Sequence, residues 1–144
     1  MDYIVYLDSR ANEMHRIQNG SKSMLMADIT RMPQLPEELT TGDWLYLTGD
    51  GPQGKVELRC SVQRTELSTG TDRRESWLST HQDKLQLTGR QWKRCLKKKK
   101  LLLVEIRDVQ PVEPIGFNRM LFGHSEDWVP IGDIERAITL TKRK

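Results

Sequence analysis

Cysteine and histidine are scarce in this sequence, and they are poorly placed for metal binding. Two cysteines, Cys60 and Cys95, lie far apart without a CxxC pair, and the three histidines are scattered along the chain. This spacing supports neither a zinc site nor a disulfide framework. We therefore expect two buried or half-buried free thiols. The sequence implies no metal and no organic cofactor.

Long apolar runs are also missing. No run approaches the roughly 18 residues that a membrane-spanning helix needs. The apolar stretch near the N-terminus is short, and it carries Asp2 where a signal peptide would be basic. These features favour a cytoplasmic protein that does not interact with membranes.

The 144 residues that are present are enough for one ordinary domain, which we expect to span residues 1–144. Net charge is +3, but seven of the eleven residues from Arg90 to Lys100 are basic. The other 16 basic residues face 20 acids, a balance of −4. Charge is thus concentrated in one segment, as in a localised anion-binding surface. A solvated helix face followed by a charged turn would give the same pattern.

Apolar alternation and turn residues predict several strands, one helix and a hairpin loop between Tyr3 and Glu66. Tyr3–Leu7 and Trp44–Leu47 are typical strands, Ser23–Ile29 is ambiguous, and a helix is expected from Asp8 or Ser9 to about Gln18. Residues 49–54 are rich in glycine and predict a hairpin loop. Lys55 to Glu66 alternates as an antiparallel strand with one wet face.

Helices and one strong strand are predicted after that hairpin. We expect a helix from Glu75 to about Leu85, and a second helix opened by a capping box at Thr88 and Gln91. Leu101 to Val109 predicts a strand that Pro111 and Pro114 end. A last short helix is expected near residues 131–138. The fold class is α+β: a small mixed, mostly antiparallel β-barrel with short flanking helices.

The order of several short motifs resembles that of ASCH domains, members of the PUA-like superfamily. The motifs are Ile17-x-x-Gly20-x-Lys22, then Arg31, then Gly42-Asp43 before the strand Trp44–Leu47. Trp92 before the strand that starts at Leu101 also fits. The family's Glu between the Lys and the Arg is absent here, and the segment after Val109 has no counterpart. Residues 115–144 are therefore interpreted as a C-terminal extension of the domain.

The resemblance implies binding of RNA or of a modified nucleotide in a cleft beside the barrel. It also implies an alternative, an ASCH-type hydrolase acting as a ribonuclease or as an amidohydrolase on an acylated nucleoside. Lys22 would be the essential group of that enzyme, and Ser23 is a shifted substitute for the family's Thr. Its carboxylate is not assigned, although Glu57, Glu66 and Glu75 are available.

The predicted binding site combines that cleft with the basic segment. Lys22, Ser23, Arg31 and the aromatic pair Trp44 and Tyr46 are expected to hold the base, and the phosphates are expected at Arg90, Lys93, Arg94, Lys97 and Lys98. Trp44 and Tyr46 could instead fill the core. A protein-binding role is a third hypothesis, and the oligomeric state is left open.

Overall fold

The computed structural model describes residues 2–49, 55–116 and 128–130. Within these ranges the strands are β1 (Tyr3–Leu7), β2 (Met24–Asp28), β3 (Trp44–Gly49), β4 (Lys55–Thr69), β5 (Lys100–Gly116) and β6 (Trp128–Pro130). The α-helices are α1 (Glu13–Gln18), α2 (Leu35–Glu38), α3 (Arg74–Leu85) and α4 (Gly89–Lys97), and a 3-10 helix covers Ser9–Ala11.

The six strands form one sheet that curls into a half-barrel, in the order β2-β5-β4-β3-β1-β6. Only the β1–β3 pair is parallel, and the other pairs are antiparallel. This confirms the prediction of an α+β fold around a mixed, mostly antiparallel sheet.

Both faces of the sheet are covered by apolar side chains. Alternate residues of β1 and β3, such as Val5 and Leu45, point to one face, where Ile17 of α1 and Leu35 of α2 pack against them. On the opposite face, α3 and α4 cover β2 and β5 through residues such as Leu78. A smaller cluster on that opposite face, formed by Ile4, Tyr6, Tyr46, Val56 and Val129, lies over β1, β3 and β6.

Within the described residues the predicted helices are present, with one change near the N-terminus. The expected single helix up to Gln18 is interrupted at Asn12, whose φ of 56° is left-handed, so a 3-10 helix precedes α1. The capping box that opens α4 is formed as predicted. The Gln91 backbone N–H donates to the Thr88 hydroxyl at 3.2 Å, and the Thr88 N–H donates to Gln91 Oε1 at 3.0 Å.

The prediction that Pro111 and Pro114 end the fifth strand is wrong, because β5 continues to Gly116. Among the described strands, β2 pairs with β5 only from Leu101 to Glu105, so the second half of β5 has a described strand on one side. A proline needs no backbone donor on the side without a partner. Register shifts between β4 and β5 absorb the local irregularity.

Two predicted elements fall outside the described residues, namely the helix near residues 131–138 and most of the 49–54 loop. Trp128 is described: it is buried, and its ring lies 6.5 Å from that of Tyr3 in an edge-to-face arrangement. The interpretation of residues 115–144 as an extension stays a prediction.

Candidate functional site

Lys22 lies inside the protein and not in an exposed turn. Gly20 takes a left-handed φ of 85°, and the Lys22 N–H donates to the Arg16 carbonyl at 3.0 Å, so the chain folds back on α1. Only 1% of the Lys22 side chain is exposed, and its ammonium donates to the carbonyl oxygen of Leu85 at the end of α3. Burial lowers the pKa of Lys22, and the nearby Glu13 carboxylate opposes that shift.

Glu13 is a carboxylate next to Lys22 that sequence reasoning missed. Glu13 Oε2 lies 3.3 Å from Lys22 Nζ, and Glu13 Oε1 accepts a hydrogen bond of 2.7 Å from the Asp8 N–H. The candidates considered from the sequence all follow Lys22 in the chain. The overlooked signal is an acid in the first turn of a helix that leads straight into the glycine turn, since that turn returns the chain to the start of the helix.

A cleft of about 600 Å³ opens beside this pair, between β1, β2 and α4. Three carboxylates and four cations line it together with the amide of Gln91. The charged residues are Asp8, Glu13, Asp28, Arg10, Arg90, Arg94 and Lys98. Val5, Leu25 and Cys95 contribute apolar wall. The cleft lining thus combines apolar side chains with charged ones, and these seven charged residues are called the rim below.

Helix α4 places a row of cations along one side of the cleft. Arg90, Arg94 and Lys98 are four residues apart, so they share one side of the helix and its end. Arg94 Nη2 lies 3.1 Å from Asp8 Oδ2, and Lys98 Nζ lies 3.1 Å from Asp28 Oδ2. Two rim cations are therefore held in place by carboxylates across the cleft.

The pKa of Asp28 reflects this contact. Burial raises the pKa, but hydrogen bonds from Thr30 and Lys98 outweigh it, and the pKa falls below its usual value. Asp28 is thus a stable anion on the β2 side of the rim.

The other two predicted α4 cations, Lys93 and Lys97, lie on the outer side of the helix. They line a shallow groove with Arg90 and Arg94, and both are exposed. The five basic residues predicted to contact phosphate are thus brought together, in one row at the cleft and one row outside it.

The remaining predicted site residues are not gathered at the cleft. Arg31 is exposed in the turn after β2, and Ser23 is half-buried before β2. Tyr46 is 6% exposed and packs in the cluster with Ile4. The guanidinium of Arg59 lies 4.3 Å from the centroid of the Trp44 ring and covers one face of it.

Solved structures with a similar fold identify this architecture. The ASCH protein of Zymomonas mobilis superposes with a TM-score of 0.69 at 16% identity, covering 97% of this chain and 94% of that chain. The chain has the ASCH fold, a PUA-like fold. The N-terminal domain of Staphylothermus marinus McrB is a more distant neighbour, with a TM-score of 0.52 at 7% identity and coverage of 99% and 94%. No family model matches the sequence, and no curated protein matches it.

One element of this ASCH fold that the sequence did not reveal is the buried Arg74, which is 1% exposed. Its Nη1 donates to the carbonyl oxygens of Cys95 and Lys98 at 2.6 Å each, and its Nη2 donates to that of Gly70 at 2.6 Å. Arg74 therefore fixes the C-terminal end of α4, from which Lys98 reaches the cleft. Nothing in the sequence distinguishes this arginine from the exposed basic residues.

The described residues contain neither a metal-binding cluster nor a membrane-spanning helix. Across residues 2–49, 55–116 and 128–130, no cluster of three or more His, Cys, Asp or Glu side chains has an arrangement that would hold a metal ion. Within those ranges no helix is long and apolar enough to cross a bilayer.

Proposed function

We propose that this chain is a binding module that takes up RNA or a modified nucleotide in the cleft between β1, β2 and α4. The observation that carries the proposal is the row formed by Arg90, Arg94 and Lys98 along a cleft with apolar walls. A nucleotide has the matching chemistry, because its base is planar and largely apolar on its faces while its phosphate is anionic.

The size of the cleft supports this ligand class. About 600 Å³ falls in the range of pockets that enclose small organic ligands, roughly 300–1,000 Å³. The exposed Lys93 and Lys97 outside the rim extend the positive surface past the cleft. A strand of RNA whose base enters the cleft would continue over these lysines.

The ion pairs of Lys98 and of the α4 cations indicate which of these residues bind phosphate first. Arg94 and Lys98 already have carboxylate partners, whereas the described residues give Arg90, Lys93 and Lys97 no ion-pair partner within 4 Å. A phosphate can contact these three without breaking an existing ion pair. We expect them to dominate the electrostatic part of binding.

The test is a salt titration of binding to a labelled single-stranded RNA. For single strands the slope of log K against log salt is about −0.7 per neutralised phosphate, so the triple variant Arg90→Ala, Lys93→Ala, Lys97→Ala should flatten it by about 2. The matched control replaces three exposed cations outside α4 that do not line the cleft, Lys55, Arg73 and Arg107. Equal losses in both triple variants, or wild-type protein without salt-sensitive binding, would overturn the proposal.

The Lys22–Glu13 pair favours a second candidate function, hydrolysis of an acylated nucleoside in the same cleft. Glu13 lines the cleft, and its carboxylate is held by Lys22 and by the Asp8 N–H. In this reaction Glu13 would take a proton from water as the water oxygen bonds to the acyl carbon. The amide C–N bond would then break, and the proton would leave with the amine.

Glu13→Gln separates the two functions, because it keeps the shape of the side chain and removes the base. If the protein is an enzyme, wild-type protein releases the acid and the amine, and Glu13→Gln binds substrate without releasing them. If it only binds, neither protein releases product and both retain RNA. Lys22→Ala is a weaker test than the sequence suggested, since Lys22 is buried and its loss also affects folding.

A further inference from the structure

Strand β2 has one edge that its partner strand does not use. Within the described part of the chain β2 pairs only with β5. The Ile106 N–H donates to the Ser23 carbonyl at 3.0 Å, and the Ile29 N–H donates to the Lys100 carbonyl at 3.3 Å. Bonded and non-bonded positions alternate along an antiparallel ladder. Leu25 and Ala27 therefore direct their backbone groups to β5, and Met26 directs its N–H and C=O the other way.

The cleft lies against that edge. Consecutive residues of a strand point to opposite faces, and Leu25 packs in one cluster while Met26 packs in the cluster on the other face. Both residues nevertheless line the cleft. Since these two successive residues point to opposite faces of the sheet, a cavity that touches both must lie at the edge of the strand. On the other side of the cleft, two successive β1 residues, Val5 and Tyr6, also both line it.

An unpaired residue in extended conformation offers one donor and one acceptor side by side. Adenine, cytosine and uracil each present an acceptor next to a donor on the Watson–Crick edge, and such edges are read by hydrogen bonds in unpaired nucleic acids. A backbone amide that faces an apolar wall costs free energy unless a partner satisfies it. A base edge would supply both partners at once.

We propose that the free edge of β2 reads the base, with the N–H and C=O of Met26 pairing with the Watson–Crick edge of a nucleobase. This inference rests on the proposed function and adds the recognition element, while Arg90, Lys93 and Lys97 bind the phosphate on the α4 side. The contact is made by the backbone, so it does not depend on the chemistry of the Met26 side chain. The ligand class is an unpaired nucleotide whose Watson–Crick edge is unblocked.

Amide NMR with hydrogen exchange tests the inference on the intact chain, with Ala27 as the internal control. In the free protein the Met26 amide exchanges at least about tenfold faster than the Ala27 amide, whose N–H bonds to β5. The probes are AMP, CMP, GMP and UMP, each added separately. On binding, the Met26 amide shifts and becomes protected, and the Ala27 amide keeps its exchange rate.

A blocked ligand provides the second arm. 3-Methyluridine monophosphate carries a methyl group on the Watson–Crick edge, so it should bind about tenfold or more weakly than UMP. Three results would overturn this inference and leave the proposed function standing. They are chemical shift changes confined to α4, equal affinity for the methylated nucleotide, and a Met26 amide that is already as protected as the Ala27 amide in the free protein. Absence of any shift with all four probes and with RNA would instead reject the proposed function. Protection of Met26 by an extended peptide and by no nucleotide would also overturn the inference.

Discussion

The ammonium of Lys22 lies 3.3 Å from the carboxylate of Glu13 in a place where the lysine has almost no contact with water. The same ammonium donates to the Leu85 carbonyl, so one side chain joins α1, the glycine turn and the end of α3. Removing one partner of a buried pair leaves the other charge without compensation. The pair is therefore a structural junction as well as the edge of the candidate site.

Replacing Lys22 with Met should lower the free energy of unfolding by about 2–4 kcal/mol, because Glu13 loses its cation and the Leu85 carbonyl loses its donor. Urea unfolding followed by circular dichroism measures the change. The double variant Glu13→Gln, Lys22→Met should cost less than the two single changes together, since no unpaired charge remains. A loss below about 1 kcal/mol for Lys22→Met would contradict this account.

The buried Tyr3 should make the folded protein less stable at alkaline pH. Burial, with a smaller contribution from the Glu38 and Asp43 carboxylates, raises the pKa of Tyr3 from 10.0 to about 12. Between these values the unfolded chain has released the proton and the folded chain retains it. The unfolded state thus binds fewer protons, and stability falls as pH rises, by up to about 1.4 kcal/mol per pH unit.

Tyr3→Phe should remove that part of the decline above pH 10. Below pH 9 the substitution should cost little, because the described residues offer the buried Tyr3 hydroxyl no hydrogen-bond partner. Unfolding free energies of both proteins measured from pH 8 to 11 give the difference. The account fails if the two proteins lose stability in parallel above pH 10.

Local sequence rules predicted most elements of the fold because each signal lies within a few residues. Thr88 and Gln91 form a capping box at the expected place, and the strand after Gly42-Asp43 begins at Trp44. The continuation of β5 through Pro111 was missed, since it depends on β2 ending beside Glu105. A strand's neighbours are a property of the assembled sheet.

The site was predicted less completely, and for a related reason. The α4 cations were found because charge is visible in a sequence, whereas the pairing of Lys22 with Glu13 depends on how the glycine turn folds back. Trp44 and Tyr46 are two residues apart on β3, so they lie on the same face of the strand, as the residues of a stacking platform would. The curl of the sheet places them away from the cleft, among residues such as Ile4.

Arg74 should be among the substitutions that destabilise the domain most. Arg74→Met removes the donors to the carbonyl oxygens of Cys95, Lys98 and Gly70, and we expect a loss of about 3 kcal/mol or more. Arg74→Lys should recover only part of it, since an ammonium cannot reproduce the planar fork. Thermal unfolding measures both variants, with the exposed neighbour Arg73→Met as control. Equal effects at positions 73 and 74 would show that the buried hydrogen bonds contribute little.

Asp8 should lower the affinity for phosphate if the cleft binds nucleotides. Its carboxylate holds Arg94 at 3.1 Å and also accepts a hydrogen bond from the Arg10 N–H at 3.0 Å. Asp8→Asn keeps an acceptor for that backbone hydrogen bond and removes the charge. Arg94 is then released toward the phosphate, and the rim loses one repulsive anion. Exposed ion pairs contribute roughly 0.2–1 kcal/mol, so RNA affinity at low salt should rise up to about fivefold.

The control is Asp72→Asn, at an exposed position away from the cleft. It changes the net charge equally and should have a smaller effect on RNA affinity. An affinity that is unchanged or lower in Asp8→Asn, with the fold intact, would show that Arg94 does not contact the ligand.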